Sequence, residues 1–579
     1  MTTRLTDLAQ RLLARYADIV GATRLIPITR AHIDGCLYHG PASLDFARTM
    51  AESGAQVCVP TTLNVGAIDL LHPTLFRGPP EIVAAGREMR QHYAAMGCRQ
   101  TWTCAPYQLV ERPSSGEQIA WAESNAIVFA NSVLGARTER YGDFIDLCAA
   151  ITGTVPDVGL HTDEGRLGRV LVEIRGVPDA TMRRDTFFAT LGHLLGRLVG
   201  SSIAVVDGVE EAREDDLKAL GAAAASSGAV AMFHMVGITP EAPTRAAAFG
   251  GRASERTIRI GPHELAAAAA ELTSTRETSL GAVSIGTPHF SYDEFTRLNA
   301  LLDNRRIAKR LEFFVSTGRD TLARVDAEGW GKGLRDCGVQ VVTDTCTYLT
   351  PILTGRPGAV MTNSAKWAWY APNNLGYEVV FGSLEECVES AVRGEVWRDA
   401  TQWGEVAEPR DAESHAGGDR DPVDDRNADA LPIALARSES SPTQTLVEGV
   451  AEGDVLVLDE PLSFWGGVHE ESGIISDIHH AQHGASLVNR IVLMPSGRGS
   501  SSSSSVLAEL IRGGVAPAAV LMGERDPIIA LGAMVGEALY DRTVVVAVLA
   551  RDEYRRARDA RRLCVRATKG ALRQEPLAE

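Results

Sequence analysis

The sequence predicts an α/β protein with a large N-terminal domain and a smaller C-terminal domain. Strand-like apolar runs alternate with helical patterns over the first two thirds of the chain, an order typical of parallel sheets. A charged stretch with almost no large apolar side chains then precedes a second set of strand-like runs. A length of 579 residues also requires more than one hydrophobic core.

The elements of the large domain are indicated in chain order by residue type and spacing. β-Branched and other apolar residues dominate the runs expected to form strands, which are GAQVCVP, RVLVEIRG, SIAVVDG, GAVAMFHMVG, GAVSIGTP and VQVVTDT. Helical spacing of apolar residues marks the segments between them, among them LDFARTMAES, DDLKALGAAAAS and DEFTRLNALLDNRRIAK. Alanine-rich tracts belong to the same helices, because alanine is the strongest helix former.

The boundary between the domains is predicted from composition. The stretch EVAEPRDAESHAGGDRDPVDDRNADALP has too few apolar residues to offset the entropy lost on ordering it, so we expect a charged flexible linker over residues 405–441. The large domain then spans residues 1–404 and the small domain residues 442–579. The runs EGDVLVLDEPLSFWGG, NRIVLMPSGRG and RTVVVAVLA indicate a compact β/α domain, either a barrel or a swivelling unit.

Composition and charge argue against several classes of function. Hydrophobic residues make up 45% of the chain and charged residues 23%, as in ordinary globular proteins. A net charge of −17 argues against nucleic acid or an anionic membrane as the main partner. The N-terminus lacks the apolar core of a signal peptide, and no stretch approaches the roughly 18 apolar residues of a membrane span. We therefore expect a cytoplasmic protein, and the charge does not exclude a small anionic substrate. A monomer or small homo-oligomer is expected.

Nine cysteines are scattered along the chain, at positions 36, 58, 98, 104, 148, 337, 346, 387 and 564. An odd number at wide spacing, with no CxxC pair, predicts neither a disulfide framework nor a zinc site. Free cysteines of this kind are mostly buried, and a site requires that two or three of them meet in space.

A Gly- and Ser-rich stretch is the strongest candidate for a functional loop. In PSGRGSSSSSSVLAELIRGG, residues 495–514, the strand-like RIVLM precedes the stretch and the helical VLAELI follows. Such a loop presents free backbone N–H groups and the positive end of a helix dipole. Arg498 adds a positive charge, and a serine hydroxyl there can act as a general base. The alternative interpretation is a flexible serine-rich linker.

Further candidate residues lie where strands are expected to end. Residues 286–289, Gly-Thr-Pro-His, follow a strand-like run and precede a Ser-x-x-Glu capping box, a position at which α/β sheets bind ligands. Asp344 and Cys346 end a later strand-like run. Cys104 stands before a proline in TCAPYQL, which favours extended backbone at the cysteine.

Polar side chains are also grouped in other segments. Helical spacing within residues 116–140 puts Glu123, Ile127 and Asn131 on one side, with Ser124 and Ser132 beside them. Buried polar groups are paired or functional, so a hydrogen-bond network between helices and a binding site both explain this pattern. The N-terminal segment AHIDGCLYHG groups potential ligands and bases: His32, Asp34, Cys36, Tyr38 and His39.

Taken together, short motifs over nearly the whole chain resemble the aconitase X family, an outlying branch of the aconitase superfamily. In the large domain they are AHIDG, VPTTLN, TCAPY, WAESNA, NSVLGART, FHMVGITPEA, GTPHFS, DTC and NSAKWAWY. In the small domain they are PLSFWGG, SGIISD, HGASL, PSGRGSSSSSS and GERDPIIALGA. The resemblance implies a hydro-lyase with an aconitase-like large domain that carries an iron–sulfur cluster and a small domain that swivels to close over it.

The resemblance implies a small hydroxy-acid substrate, and the family has two known activities, with another hydroxy acid left open as an alternative. Bacterial members, often fused as here, dehydrate cis-3-hydroxy-L-proline to 1-pyrroline-2-carboxylate, whereas archaeal members with separate subunits dehydrate mevalonate 5-phosphate. The archaeal type resembles GCPH where this chain has Thr287, so one thiolate is missing and the smaller 2Fe–2S cluster of the bacterial type is expected. Ser501 and Ser502 differ from the Cys-Thr pair of the bacterial enzymes, which leaves the exact substrate open.

Roles of individual residues follow from the same resemblance. Cys104 and Cys346 match cluster positions, and Cys36 is expected as the third ligand in preference to Cys387. By analogy with the superfamily, Ser500 is expected to be the base. Arg498 and Lys366 are expected to neutralise the substrate's carboxylate. The expected substrate-binding residues come from the same motifs: His32, Asp34, Ser124, Asn125, Asn131, Ser132, Thr287, His289 and Ser501.

Two interpretations from other classes stay open at this point. The first is a non-catalytic iron-sensing or iron-binding protein on the same fold. Such a protein would need the cysteines but not the serine loop, so the intact loop counts against it. A cluster-free α/β hydrolase that uses a loop serine and His289 is disfavoured, because the chain has no G-x-S-x-G elbow between a strand and a helix.

Overall fold

The computed structural model describes residues 6–399 and 442–576. Four regions, each built around its own sheet, follow one another along the chain, three of them in the large domain. The linker predicted at residues 405–441 lies outside the described residues. Among the helices of the described ranges, none is long and apolar enough to cross a membrane.

The first region contains α1 (Thr6–Val20), β1 (Leu25–Pro27), β2 (Ala31–Ile33), α2 (Pro41–Glu52), β3 (Thr61–Leu63), α3 (Pro80–Ala95), β4 (Ala120–Trp121), α4 (Ser124–Phe129), α5 (Ile145–Thr152) and β5 (Thr154–Pro156). Its parallel sheet has the order β3-β2-β4, and β1 pairs with β5. Helix α1 buries Leu12, Leu13 and Tyr16 in a core that it shares with α5. The sheet carries the loops that follow β2 and precede α4 towards the candidate site.

The second region contains β6 (Val170–Ile174), α6 (Asp179–Met182), α7 (Asp185–Val199), β7 (Ala204–Asp207), α8 (Glu214–Ser227), β8 (Phe233–Met235), α9 (Arg245–Ala248), β9 (Arg256–Ile260) and α10 (Pro262–Glu271). Its strands form a parallel sheet in the order β8-β7-β6-β9. Helices α7 and α8 approach closely, since a Cβ on Gly192 would lie 2.2 Å from the Leu220 carbonyl oxygen. Only glycine permits this separation, so Gly192 sets how closely the middle of α8 packs against α7.

The third region contains β10 (Leu280–Phe290), α11 (Tyr292–Leu302), β11 (Glu312–Thr317), α12 (Arg319–Ala327), α13 (Trp330–Cys337), β12 (Val339–Val342), β13 (Ala359–Thr362), α14 (Ala365–Leu375), β14 (Val379–Phe381) and α15 (Leu384–Arg393). The sheet is parallel in the order β12-β11-β10-β13-β14. All 11 residues of the central strand β10 are buried, as expected for a parallel strand covered on both faces.

The fourth region contains β15 (Gln444–Val447), β16 (Gly449–Val457), β17 (Val468–His469), β18 (Ile474–Ile475), β19 (Ile491–Met494), α16 (Ser503–Gly513), β20 (Ala519–Met522), α17 (Pro527–Tyr540), β21 (Val545–Val548), α18 (Arg551–Asp559), β22 (Arg562–Thr568) and β23 (Ala571–Pro576). Its sheet has the order β15-β21-β20-β19-β16-β22-β23 and mixes parallel with antiparallel pairs. No strand pairing joins the two end strands, β15 and β23, in the described ranges, so the sheet does not close into a hydrogen-bonded barrel. Helices α16 and α17 pack against α2 and α1 of the first region.

The predicted alternation of strands and helices with parallel sheets is confirmed, but some segments differ. GAQVCVP is not a strand, because the Val57 and Cys58 N–H groups bond to the carbonyls of Met96 and Ala150 instead of a sheet neighbour. The helix predicted over DEFTRLNALLDNRRIAK ends at Leu302, where the next residue has a left-handed backbone. The helix within residues 116–140 is only α4, followed by a π-helical turn at Ala130–Leu134.

Candidate active site

Two cysteines and one histidine meet in the interior of the large domain. Cys104 precedes the 3-10 turn Pro106–Gln108, His289 lies near the end of β10, and Cys346 follows β12. The two Sγ atoms and a His289 ring nitrogen lie within 4.8 Å of one another, and all three residues are buried. The His289 backbone N–H donates to Cys104 Sγ at 3.2 Å, and Thr103 Oγ1 lies 3.1 Å from His289 Nδ1.

The two thiols of this group differ in acidity. Burial raises the pKa of the Cys104 thiol well above its ordinary value, and the hydrogen bond with Cys346 raises it further. Burial also opposes ionisation of Cys346, but the bond from Cys104 and the nearby His289 and Lys366 lower the pKa of Cys346 well below its ordinary value. Cys346 is therefore the more acidic thiol of the pair. Two sulfur ligands and an imidazole form a donor set that fits an iron–sulfur centre.

A buried ion pair lies close to the two thiols. Lys366 is the second residue of α14, and Glu123 is the N-cap of α4. Lys366 Nζ lies 2.7 Å from Glu123 Oε1, and each side chain is only 5% exposed. Burial disfavours a charged amine, but Glu123 raises the pKa of Lys366 well above its ordinary value, so the amine stays protonated. Ser124 Oγ lies 3.5 Å from the same Nζ.

Asn125 connects this ion pair to the cysteine loop. Its Oδ1 accepts the Tyr107 hydroxyl at 2.6 Å, and its Nδ2 donates to the Cys104 carbonyl at 2.9 Å. Nδ2 also donates to the Glu123 carboxylate. Asn125 therefore holds Cys104 and the Glu123–Lys366 pair in a fixed relation through bonds to both.

The Gly/Ser loop of the small domain joins strand β19 to helix α16 and contacts the large domain. The Gly499 N–H donates to the Gly228 carbonyl at 2.8 Å, and the Gly499 carbonyl accepts from Arg140 Nη2 at 2.9 Å. The Ser502 N–H donates to Ser500 Oγ at 3.2 Å, directly before α16 begins. Ser500 Oγ therefore lies at the positive end of the helix dipole, where an alkoxide is stabilised.

Buried carboxylates of the large domain accept the hydroxyls that follow in this loop. Asp34 accepts from Ser501 Oγ and from Asn64 Nδ2. Asp143 accepts from Ser505 Oγ at 2.5 Å, and its backbone N–H lies 3.4 Å from the Ser501 carbonyl. Burial is the main cause that raises the pKa of Asp34 to about 7. The serine loop thus docks on a group of carboxyls that burial keeps partly protonated.

The expected third ligand, Cys36, does not join the two other cysteines. Its thiol lies 3.4 Å from the carbonyls of Ile33 and of Asn64, so the loop after β2 turns it into the core of the first region. The alternative, Cys387, is buried in the core of the third region. The group that the structure brings to Cys104 and Cys346 is His289, because β10 ends beside both cysteine loops.

Two predicted substrate-binding residues serve the fold. Asn131 Nδ2 donates to the carbonyls of Thr138 and Ala231, at 2.9 and 3.1 Å, and Ser132 Oγ accepts the Phe233 N–H at 2.9 Å. These bonds attach the π-helical turn to the sheet of the second region. They form the structural network that the sequence left open as an alternative.

Two other predicted residues offer buried polar atoms to the site. His32 Nδ1 lies 2.8 Å from Thr62 Oγ1, but its Nε2 has no hydrogen-bond partner in the described ranges. Thr287 Oγ1 is likewise buried and unpaired there. Unpaired buried polar atoms cost stability unless a ligand pairs with them.

Several charged residues that hold the site together have no clear local signal. Glu123 is indicated in the sequence by a helix face and by the WAESNA motif, and Asp477 only as the last residue of SGIISD, whereas Arg140 and Asp143 are not indicated. Each is covered, wholly or in part, by a segment from elsewhere in the chain, and residue spacing carries no record of such contacts. The available sequence signal for Arg140, Asp143 and Asp477 is their position within ARTERYGD and SGIISD, where a charge stands among small residues.

Comparisons with known proteins agree with this fold and site. Four family profiles match in order: the aconitase X first domain over residues 2–164, the second over 168–270, the third over 280–393 and the swivel domain over 441–574. The chain therefore belongs to the aconitase X family, as its motifs predict.

Individual relatives lie on both branches of the family. Cis-3-hydroxy-L-proline dehydratase of Pseudomonas aeruginosa is 45% identical over 391 residues, 67% of this chain and 67% of that enzyme. The phosphomevalonate dehydratase large subunit of Methanosarcina mazei is 34% identical over 389 residues, 67% of this chain and 92% of that subunit. The crystal structure of Thermococcus kodakaraensis aconitase X in its holo form is 31% identical, with a TM-score of 0.61 over 67% of this chain and 95% of that chain.

Proposed function

We propose that this protein is a hydro-lyase that converts cis-3-hydroxy-L-proline to 1-pyrroline-2-carboxylate and water. The observation that carries the proposal is the buried group of Cys104, His289 and Cys346 beside a charged lysine. The choice of substrate is supported by 45% identity to a dehydratase named for this compound, against 34% for the phosphomevalonate subunit. A cytoplasmic location and a monomeric or small oligomeric state stay predictions from the sequence.

Loss of water from a β-hydroxy acid needs a base for the α-proton and stabilisation of the departing hydroxyl. We assign the base to Ser500, since its Oγ accepts a backbone N–H at the start of α16. The base takes the proton from the carbon next to the carboxylate, and the hydroxyl leaves from the adjacent ring carbon. The resulting enamine tautomerises to the cyclic imine. Arg498 and Lys366 are assigned to the substrate's carboxylate, which they bind through charge.

The residues that would hold an iron–sulfur cluster are Cys104 and Cys346, with His289 in reach as a third donor. A bound cluster would supply a Lewis acid for the departing hydroxyl. Thr287 stands where the archaeal type has a cysteine, which supports the smaller 2Fe–2S form. The buried, unpaired Oγ1 of Thr287 would then be available to a ligand at the position of that cysteine.

The test is an anaerobic purification followed by a visible spectrum, iron analysis and an imine assay with an aminobenzaldehyde. We expect a brown protein that forms the imine from cis-3-hydroxy-L-proline, and Cys104→Ala should lose colour, iron and activity together. Cys387→Ala is the matched control, because that thiol is buried in a core away from the site. Cys36→Ala should keep iron if His289 is the third donor.

Three other outcomes would contradict the substrate, the activity or the cluster. A brown protein that is inactive on hydroxyproline would contradict the substrate and direct the assay to mevalonate 5-phosphate. An iron-containing protein without activity on either compound would favour a sensing or binding role. A colourless protein that stays colourless after cluster reconstitution would contradict the iron–sulfur proposal.

A further inference from the structure

One face of helix α14 connects the buried group with the small domain. Lys366, Trp369, Tyr370 and Asn373 follow each other at i, i+3, i+4 and i+7, so they share that face. Lys366 pairs with Glu123, as described above. The other three contact the small domain. The Trp369 ring lies under the Arg498 guanidinium, and Asn373 donates to Asp477. A Cβ on Gly499 would lie 3.3 Å from the Tyr370 hydroxyl.

Arg498 lies on this face, and one of its nitrogens is both buried and unpaired among the described residues. Its guanidinium carbon is 5.7 Å from the centre of the Trp369 ring, and its Nη2 donates to Asp477 Oδ2 at 2.6 Å. The side chains of Arg498 and Asp477 are 11% and 5% exposed. The Nε atom of Arg498 is buried and has no acceptor in the parts of the chain that are described. A buried N–H of a cation is costly to leave unpaired, so it calls for an oxygen acceptor.

Asp477 does not accept from Nε, since its Oδ2 accepts from Nη2 and its Oδ1 faces other donors. Oδ1 accepts the His479 N–H at 2.9 Å and lies 3.3 Å from Asn373 Nδ2. The carboxylate is therefore held from two sides, once within the small domain and once by α14 of the large domain. Its remaining oxygen fixes the guanidinium at Nη2 and leaves Nε for a ligand.

We propose that Asp477 is a positioning residue for Arg498. It holds the guanidinium against Trp369 so that the free Nε–H is available to the substrate's carboxylate. Because Asn373 belongs to the large domain, this arrangement also depends on docking of the small domain. Asp477 does not itself touch the substrate. The inference rests on the proposed function, since it takes the ligand of Arg498 to be a carboxylate.

The test compares Asp477→Asn with Asp459→Asn in the full chain. Asp459 is the matched control, because it pairs with Arg558 at 2.8 Å on the exposed surface of the same domain. Two sets of constants are measured: KM and kcat for cis-3-hydroxy-L-proline, and dissociation constants for pyrrole-2-carboxylate and pyrrole-2-carboxamide. The paired probes separate charge recognition from fit to the ring.

For Asp477→Asn we expect KM and the dissociation constant of the carboxylate probe to rise about tenfold, the equivalent of one charge-assisted hydrogen bond. The kcat value should change by less than about threefold, since the base and the buried cysteines are untouched. The carboxamide should bind as it does to the wild type, and Asp459→Asn should leave every constant unchanged.

Equal weakening of both probes, or an unchanged KM, would overturn the role of Asp477. If Asp477→Asn does not fold, Asn373→Ala is the second variant. It removes the two bonds that α14 makes here, from Asn373 Nδ2 to Asp477 and from the Ile478 N–H to Asn373 Oδ1, and leaves the Asp477 carboxylate in place. It should raise KM about threefold with kcat retained, and an unchanged KM for this variant would also overturn the role of Asp477. A wild-type protein that binds the carboxylate probe but does not dehydrate hydroxyproline contradicts the proposed function alone, because the probe comparison still tests Asp477.

Discussion

Replacing Lys366 with methionine should destabilise the large domain and abolish activity, and a second change at Glu123 should restore stability alone. Lys366 Nζ and Glu123 Oε1 are 2.7 Å apart, and both side chains are 5% exposed. Methionine has a similar length and no charge, so the single variant leaves Glu123 buried without a cation. Glu123 keeps two donors, the Ala126 N–H at 2.8 Å and Asn125 Nδ2.

The size of the effect follows from these contacts. Removing one partner of a buried ion pair costs about 3–5 kcal/mol. Because two amide donors still stabilise the Glu123 carboxylate, we expect the lower end, about 3 kcal/mol. Replacing both partners with neutral residues of similar volume is close to neutral. Lys366→Met combined with Glu123→Gln should therefore recover most of the lost stability.

Thermal unfolding and the imine assay measure the two consequences separately. In a chain of several domains, only the transition that includes the large domain is compared. The single variant should lower its midpoint by about 3–4 °C, because the unfolding entropy of a domain of roughly 400 residues is about 0.8 kcal/mol/K, and the double variant should return to within about 1 °C of the wild type. Both variants should be inactive. A single variant as stable as the wild type, or a double variant no more stable than the single one, would refute an energetic coupling between these side chains.

Two further predictions concern the small domain. Gly499→Ala should lower kcat about 100-fold with little change in iron content, because the new Cβ would lie 2.6 Å from Ser463 Oγ at a residue with φ 77° and would displace Ser500. Gly513→Ala is its control, since its Cβ would meet Val515 at an ordinary 3.6 Å, and a kcat for Gly499→Ala within tenfold of the wild type would contradict the role of the loop. Glu470→Gln tests a pH effect: burial, Glu509 and Glu471 raise the pKa of Glu470 to about 8, against about 4.3 in an unfolded chain. The folded state then binds this proton more tightly, so its contribution to stability is lost as pH rises from about 4 to about 8. The unfolding midpoint of Glu470→Gln minus that of the wild type should therefore increase as pH rises across this range. A difference between the two midpoints that does not depend on pH would contradict the assignment.

Local patterns in the sequence predicted most of the architecture because they reflect local physics. The apolar runs of β6, β10 and β19 are buried strands, and the Gly/Ser stretch between β19 and α16 is a loop at a helix N-terminus. The same patterns failed at GAQVCVP, where apolar composition matches a strand but the backbone partners are loop carbonyls. Composition alone does not specify which segment supplies those partners.

The sequence by itself determined the family, the α/β class and two of the residues that meet in the buried group, Cys104 and Cys346. Only the tertiary structure decided that His289 stands beside them while the thiol of Cys36 turns into the core, because this depends on where β10 and β2 end in different sheets. It also decided the partners of Lys366 and Arg498. Glu123 and Asp477 are far from them in the chain, and a buried charge finds its counter-ion only when packed regions exclude water from both.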